Sequence, residues 1–479
     1  MTAGGFAPLA VYVCGGSFFN EEHEQMIHKF RMHASNIVLD VNSGAVHIVD
    51  DIAYDILDYM DKPDDEIISV LSEKYSTSEV IEALAELKQL KAEGQLFSED
   101  FVEEYLAGYD AFNNSRSVVK ALCLHIAHDC NLRCRYCFAS TGDFGTRRTL
   151  MPAETGKKAI DFLIERSGAR RNLEVDFFGG EPLLNFEAVK DIVLYALDRQ
   201  KETGKNFRFT ITTNAVLLNE DHKKFINEYM GNVVLSIDGR PEVNDGMRFR
   251  ADGRGTYEDI LPKIMDMADS RGQDRYYVRG TFTRENLDFS KDVLHLADLG
   301  FKQVSVEPVV AAKDTGFDLR QEDLPVLFKE YEELVFEYVK RYKESNGFNF
   351  FHFMLDLEQG PCLIKKMRGC GSGHEYLAVT PEGDLYPCHQ FVGMEEFKMG
   401  NVNNGTDVNL AIREVFEKQN IYTKPDCKRC WARFFCSGGC AANAWQFNNC
   451  LNKPYEIGCE LERKRVECAL WAKTVEADE

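Results

Sequence analysis

The chain has 479 residues, 44% of them hydrophobic and 28% charged, which is the composition of a soluble globular protein. This length predicts two or three domains rather than a single core. The net charge of −22 disfavours a nucleic acid as partner, and no apolar run is long enough to cross a bilayer. Because the N-terminus also lacks the charged start of a signal peptide, we expect a cytoplasmic protein.

Residues 1–25 are expected to be an N-terminal extension, and residues 26–100 a small domain of their own. Alternating polarity in MIHKFRMHA, NIVLDV and AVHIV predicts a meander of three strands. Helical periodicity then predicts three helices, with Ser78 as a cap of the last one. The helices are expected at about 51–60, 65–75 and 78–94.

Three strands followed by three short helices resemble a winged helix-turn-helix domain. DNA binding is disfavoured because the third helix is mainly acidic. Its charged residues are Glu79, Glu82, Glu86 and Glu93 against Lys88 and Lys91. A second use of the shape is peptide capture, in which an extended ligand adds a strand to the edge of the meander. A purely structural role is the alternative.

Cys130, Cys134 and Cys137 form a CxxxCxxC triplet in the stretch HDCNLRCRYCF. A cubane iron–sulfur cluster has four irons, so three thiolates leave one iron open to a small molecule. Half of a zinc site is the alternative, but zinc knuckles use CxxC pairs and no such partner follows within the usual span. The chain holds 15 cysteines, an odd number that favours metal ligation over disulfides in the cytosol.

From about 115 to 315, apolar strand candidates alternate with helical stretches, which predicts parallel strands with right-handed crossovers. The six candidates are ALCLHIAH, LEVDFFGG, FRFTITTN, VVLSIDG, YYVRGTFT and FKQVSVEP. Polar and glycine residues at the ends of these strands suit a ligand that needs directional hydrogen bonds. They are Gly179, Gly180 and Glu181, then Thr212, Thr213 and Asn214, then Ser236 and Asp238, with Arg248 shortly after.

Residues 316–359 are expected to form a helical bridge, and residues 360–479 a cysteine-rich domain. In this last part the spacing CxxCxxxxxCxxxC is the most specific feature. A zinc ribbon could also use such pairs, but the triplet upstream favours iron. The cysteines of interest are Cys362, Cys370, Cys388, Cys427, Cys430, Cys436, Cys440 and Cys459.

The chain resembles radical S-adenosylmethionine enzymes with a SPASM domain in three features. They are the triplet with Tyr136 before its last cysteine, the GGEP element about forty residues later and the C-terminal cysteine spacing. The resemblance implies an α/β fold with a partial (β/α)6 TIM-like barrel. The winged-helix-like domain would precede the barrel and the iron–sulfur domain would follow it. It also implies three [4Fe–4S] clusters and S-adenosylmethionine as cofactors.

Residue roles follow from the same resemblance. Cys130, Cys134 and Cys137 would hold the catalytic cluster, and Arg248 would pair with the cofactor carboxylate. The remaining cofactor contacts would be Tyr136, Gly179, Gly180, Glu181, Thr212, Asn214, Ser236 and Asp238. An outer auxiliary cluster would be held by Cys427, Cys430, Cys436 and Cys459, and an inner one by Cys370, Cys388 and Cys440. Either Cys362 completes the inner cluster or that iron stays open for a substrate thiol.

The chain is most similar to maturases of the sactipeptide and ranthipeptide class, above all those for peptides called six cysteines in forty-five residues. This similarity implies thioether formation in a cysteine-rich precursor peptide whose leader binds the N-terminal domain. A flavodoxin or ferredoxin would donate electrons. Anaerobic sulfatase maturases are the nearest alternative, and they carry an aspartate base where this chain has His389. Another peptide crosslinking or epimerising reaction and a DNA-binding iron–sulfur regulator are further alternatives.

Overall fold

A computed structural model describes residues 26–102, 118–355, 357, 363–405 and 407–477. The described chain begins with an antiparallel sheet in the order β1-β2-β3, as the meander prediction requires. Its strands are β1 (Ile27–Met32), β2 (Ser35–Asp40) and β3 (Val46–Val49). Helices α1 (Asp51–Ile56), α2 (Asp64–Leu71) and α3 (Thr77–Ala92) follow.

The predicted cap of α3 is wrong by two residues. Ser76, not Ser78, accepts a hydrogen bond from the Glu79 backbone, and the Glu79 side chain accepts one from the Ser76 backbone. This reciprocal pair is a capping box, which needs the acidic residue three positions after the cap. Only Ser76 has a glutamate at that distance.

Both faces of β2 are buried, which explains how the N-terminal sheet is held. Val38 packs under the three helices, whereas Ile37 and Leu39 belong to the main core of the protein. Successive residues of a strand point to opposite faces, so the sheet lies between its own helices and the rest of the chain. The N-terminal unit is therefore fixed to the body of the protein.

The six predicted barrel strands are all present and pair in parallel, in the order β9-β8-β7-β6-β5-β4. They are β4 (Ala121–Ala127), β5 (Asn172–Gly179), β6 (Asn206–Thr213), β7 (Asn232–Ser236), β8 (Tyr276–Phe282) and β9 (Gln303–Pro308). The intervening helices are α4 (Ala153–Arg166), α5 (Phe186–Thr203), α6 (Glu220–Tyr229), α7 (Pro241–Met247), α8 (Tyr257–Ser270) and α9 (Phe289–Asp298). The predicted partial barrel is confirmed.

The sheet continues beyond these six strands, which the sequence did not predict. The short strand β10 (Asn349–Phe350) pairs with β9, and β11 (Tyr376–Val379) pairs in parallel with β4. Strands β12 (Asp384–Tyr386) and β13 (Gly400–Asn401) extend the same edge. The cysteine-rich region is thereby joined to the strand that leads into the Cys130 loop.

The bridge helix α10 (Leu324–Lys343) packs along the last helix, α16 (Glu456–Ala477), which also contacts β1. Along the chain, five shorter helices come between these two: α11 (Leu363–Arg368), α12 (Leu410–Glu417), α13 (Pro425–Lys428), α14 (Arg433–Cys436) and α15 (Ala441–Asn448). None of the helices in the described ranges combines the length and the apolar character needed to cross a membrane.

Candidate active site

Three thiols lie on the loop that follows β4. The loop is tied to the chain after α7, because the Arg133 amide donates to the Phe249 carbonyl and the Arg135 amide to the Met247 carbonyl, at 2.8 and 3.0 Å. Burial, helped by nearby negative groups, raises the pKa of Cys130 to about 12 and that of Cys134 to about 11. Thiols of this kind ionise at neutral pH only when a metal binds them, as iron does in a cluster.

The two glycines at the end of β5 allow its backbone to touch the cysteine loop. The Gly180 amide donates to the Ala127 carbonyl at 2.7 Å, and the Glu181 amide donates to the Asp129 carbonyl at 2.9 Å. A Cβ atom on Gly180 would lie 2.0 Å from the Asp129 carbonyl oxygen, and Gly179 has a φ of +130°. Only glycine fits this close approach, so the pair positions the loop that carries Cys130.

Glu181 joins the ends of β5 and β6 rather than pointing into open space. Its carboxylate, 1% exposed, accepts bonds from the Thr213 hydroxyl at 2.7 Å, the Asn214 amide at 2.8 Å and the Leu183 amide at 3.0 Å. Burial raises its pKa to about 6, although these hydrogen bonds act in the opposite direction. A direct contact of this carboxylate with the cofactor therefore requires a rearrangement.

Asn214 reaches from the end of β6 to the cysteine loop. Its side-chain Nδ2 donates to Asn131 Oδ1 at 2.8 Å and lies 3.7 Å from the Cys130 sulfur. Thr212 and Ser236 lie at the ends of β6 and β7. Both are half-buried, on the strand face opposite to the one that carries the buried core residues. Both residues are therefore partly exposed to solvent.

Arg248, Tyr136 and Asp238 form one buried hydrogen-bonded group. The Tyr136 hydroxyl lies 2.8 and 2.7 Å from the two Asp238 oxygens, and Arg248 Nη1 lies 2.8 Å from the same hydroxyl. Asp238 is 0% exposed and Arg248 is 8% exposed. Asp238 thus contacts its protein neighbours, and its contact with the cofactor stays a prediction.

Two buried donors in this region suit an anionic ligand. Arg248 Nε and Asn131 Nδ2 are buried, and neither has a hydrogen-bond partner among the described residues. A buried donor left without an acceptor costs free energy, which a bound carboxylate would recover. Together with three thiols on one loop, these donors fit an iron–sulfur cluster and the amino-acid end of S-adenosylmethionine.

The inner cysteine group brings together Cys370, Cys388 and Cys440. Burial raises the pKa of Cys388, and the charges of Cys440 and Cys370 raise it further, so the three thiols are neighbours. Cys362 lies outside the described residues. The two alternatives for the fourth iron of this group therefore stand as the sequence left them.

The outer cysteine group surrounds a single cavity. Its wall contains Cys427, Cys430, Cys436 and Cys459, together with Arg433 and Arg463. Burial, with the charges of the other thiols, raises the pKa of Cys427 to about 12 and that of Cys436 to about 11. Four convergent thiols match the ligand set of a closed cubane cluster.

His389 stands between the cysteine loop and the barrel. Its ring centre lies 5.3 Å from that of Phe138, which follows Cys137, and 5.2 Å from that of Phe178, which precedes Gly179. The ring is half-buried and follows directly on Cys388 of the inner group. The residue therefore lies where the catalytic loop, the barrel and the inner cysteine group meet.

Charged residues inside the barrel were not singled out by the sequence. Glu307 on β9 lies 3.3 Å from His352 Nε2 and 3.7 Å from Arg279 on β8. Asp176 on β5 is half-buried, and its carboxyl has no hydrogen bond within the described residues. Strand alternation was the available signal, because Asp176 and Phe178 share the face opposite to buried Val175 and Phe177.

We expect Asp176→Asn to stabilise the protein more at high than at low pH. Burial, then the charge of Glu174, raises the pKa of Asp176 to about 7, above an unfolded value of about 3.9. The folded state therefore binds the proton more tightly, so the wild type loses stability as pH rises from about 4 to about 7. After allowance for partial exposure, we expect a gain of about 2 kcal/mol at pH 8 and almost none at pH 4.

Urea unfolding of both proteins at several pH values measures this difference. Asp198→Asn is the matched control, because Asp198 lies on the surface of α5 and has Lys201 as its one ion-pair partner among the residues that the structure describes. A stability change for Asp176→Asn that is the same at every pH would contradict the assignment.

Comparison with known families agrees with this geometry. Residues 124–292 match the radical SAM superfamily, and residues 370–431 match the SPASM iron–sulfur cluster-binding domain. The chain therefore carries both domains, which imply iron–sulfur clusters and S-adenosylmethionine as cofactors.

Individual relatives cover most of the same region. An uncharacterized protein of Methanocaldococcus jannaschii is 29% identical over 66% of this chain and 96% of its own length. A cysteine-type anaerobic sulfatase-maturating enzyme of Clostridium novyi is 23% identical over 66% of this chain and 86% of its own length. The solved structure of native anSMEcpe with bound AdoMet and Cp18Cys peptide has a TM-score of 0.60 at 18% identity, covering 75% of this chain and 99% of that one. This last likeness shows the fold.

Proposed function

We propose that this chain is a radical SAM enzyme that installs intramolecular thioether crosslinks, from cysteine sulfur to carbon, in a ribosomally synthesised cysteine-rich precursor peptide. A sulfatase-maturating relative and a similar fold with a bound peptide support a peptide substrate. We also propose three [4Fe–4S] clusters, held by the Cys130 loop and by the inner and outer cysteine groups. A flavodoxin or ferredoxin would supply the electrons.

When bound, S-adenosylmethionine and the clusters supply a 5′-deoxyadenosyl radical and an acceptor for one electron. Each crosslink would form one S–C bond while the C–H bond and the S–H bond break. The hydrogen atom would go to the 5′-deoxyadenosyl radical to give 5′-deoxyadenosine, the thiol proton to solvent, and one electron to the acceptor. The protein has to hold the substrate carbon and the substrate thiol side by side. It also has to keep water away from the reacting atoms.

The observation that carries this proposal is the position of His389. It links Cys388 of the inner group to Phe138 and Phe178 at the barrel mouth, so a peptide entering the barrel meets the catalytic loop and the inner group together. The resemblance to sulfatase maturases requires an aspartate at this position. An imidazole beside two stacked aromatic rings instead favours packing of a peptide side chain over that enzyme's carboxylate base.

The N-terminal unit, residues 26–100, offers a place for the peptide leader. Within the part of the chain that the structure describes, strand β3 pairs with β2 alone, and Ile48 on it is 49% exposed. An extended peptide can add to such an edge through main-chain hydrogen bonds, and its side chains can then cover the exposed apolar residue. We therefore propose that the leader binds along β3.

Close contacts tie this unit to the outer cysteine group. The His28 ring stacks on Trp431 with centres 3.7 Å apart, and Arg433 Nη2 lies 2.8 Å from the Asp100 carboxylate. Trp431 and Arg433 lie between Cys430 and Cys436. A leader held on the N-terminal unit would thus have a fixed position relative to the cysteine groups and the barrel.

A peptide encoded by a short cysteine-rich reading frame beside this gene is the substrate for the test. Incubation with the anaerobically reconstituted protein, S-adenosylmethionine and a reductant is expected to remove two hydrogens per crosslink. The sulfur should stay in the product and the thiol should no longer react with iodoacetamide. Mass spectrometry of the product, alkylated after full reduction so that every disulfide is opened, measures both changes.

The same spectra separate the alternatives. Loss of the cysteine sulfur with gain of an aldehyde would replace this proposal by formylglycine formation. A product of unchanged mass with altered chromatography would indicate epimerisation. A crosslink with loss of two hydrogens but full reactivity of every thiol would indicate carbon–carbon bonding.

A further inference from the structure

The hydroxyl of Tyr136 occupies a position between two opposite charges. It lies within hydrogen-bond distance of both Asp238 oxygens and of Arg248 Nη1. A phenol carries one proton, and a guanidinium is only a donor. The hydroxyl therefore donates to Asp238 and accepts from Arg248, which makes it the direct link between the two residues.

Asp238 is bound entirely within the protein. Besides Tyr136, its Oδ1 accepts from the Thr281 amide at 3.1 Å, and it lies 3.8 Å from Arg248 Nη1. Its complete burial leaves no surface for a ligand in the barrel. An ionised carboxylate in such a place needs these donors, since a buried charge without partners is costly.

Arg248 is held on its other sides as well. Its amide donates to the Asn244 carbonyl at 2.7 Å, and its carbonyl accepts from the Thr256 hydroxyl at 2.9 Å. Its Nη1 donates to the hydroxyl of Tyr136, which follows Cys134 by two positions, so the side chain lies beside the cysteine loop. Nη1 is used by Tyr136, whereas Nε has no partner among the described residues.

We propose that the Tyr136 hydroxyl and the Asp238 carboxylate are positioning groups, which hold Arg248 beside Cys134 with Nε directed at the carboxylate of S-adenosylmethionine. The aromatic residue before the last cysteine would then act through its hydroxyl, and Asp238 would act through Arg248 rather than by direct contact with the cofactor. This inference rests on the proposed function, because it needs the cofactor to bind at the Cys130 loop.

Tyr136→Phe keeps the ring and removes only the hydroxyl. A hydrogen bond to a charged group is worth about a tenfold change in an equilibrium, so we expect an apparent Kd for S-adenosylmethionine about ten times that of the wild type. The KM for cofactor cleavage should rise by a similar factor, with kcat changed by less than about twofold, because the hydroxyl contacts no reacting atom. Asp238→Asn should act in the same direction.

The measurement is a titration of the reduced, fully reconstituted chain with S-adenosylmethionine, followed by the electron paramagnetic resonance spectrum of the cluster. Tyr257→Phe is the matched control. The Tyr257 side chain is buried, and its hydroxyl forms a 2.7 Å hydrogen bond with His295 Nε2 rather than with a residue of the cysteine loop. Its titration should equal that of the wild type. If Tyr136→Phe fails to load iron, the titration of Asp238→Asn tests the positioning role instead. If neither variant loads iron, the titration of Arg248→Lys tests it.

The outcomes separate this inference from the proposed function. A wild type that shows no spectral change and forms no 5′-deoxyadenosine overturns both. A wild type that responds, with Tyr136→Phe binding the cofactor equally well, overturns the positioning role alone. A loss of kcat at unchanged KM also contradicts it.

Discussion

Replacing Cys130, Cys134 and Cys137 together by alanine is expected to abolish reductive cleavage of S-adenosylmethionine. Enzymes accelerate reactions by about 10⁶-fold or more, so 5′-deoxyadenosine should fall by more than about a thousandfold, to the level formed by the reductant alone. The reason is that these thiols, on the loop after β4, supply all the protein ligands of the proposed catalytic cluster. The loop also has its own backbone ties to Met247 and Phe249, so the fold should persist.

Formation of 5′-deoxyadenosine under anaerobic conditions is the measurement. Cys123→Ala is the matched control, because Cys123 is 1% exposed on the same strand that leads into the loop, yet it belongs to none of the three cysteine groups. The control should cleave the cofactor at the wild-type rate. Substantial cleavage by the triple variant would refute the assignment of the catalytic cluster.

Replacing Cys430 and Cys436 by alanine is expected to remove one cluster and leave the other two. The wild type should contain on the order of twelve irons per chain and the variant about eight, because each cubane holds four. Cofactor cleavage should persist, since the Cys130 loop lies in another part of the chain. Peptide processing should fall at least about tenfold, because the loop that orients Trp431 and Arg433 loses its metal.

Hydrogen exchange of residues 26–49 gives a second, independent measurement of this variant. The contacts of Trp431 with His28 and of Arg433 with Asp100 hold the N-terminal unit to the cluster loop. Looser contacts should raise exchange in β1 and β2. Cys123→Ala, at a buried thiol on β4 outside the three groups, should change neither iron content nor exchange. A wild type with about four irons would contradict the auxiliary clusters.

Glu181 and Asp238 show the limit of assigning a role from a motif. The sequence places both at strand ends, where a ligand is expected, and the structure does bring these ends together. Their carboxylates, however, are occupied by Thr213 and Asn214 in one case and by Tyr136 and Thr281 in the other. The sequence identifies the edge of the sheet, but these partners lie between 32 and 102 positions away along the chain.

The sequence by itself determined the six barrel strands, the three-stranded meander and the cysteine spacing. Alternation and helical periodicity are local consequences of backbone geometry, and the spacing of thiols on one loop is set by covalent structure. Tertiary structure alone decided that β11 extends the barrel sheet at β4, that β2 is buried on both faces, and that His389 packs against both Phe138 and Phe178. Such contacts depend on which distant surfaces exclude water together, and no pattern within a short segment records that choice.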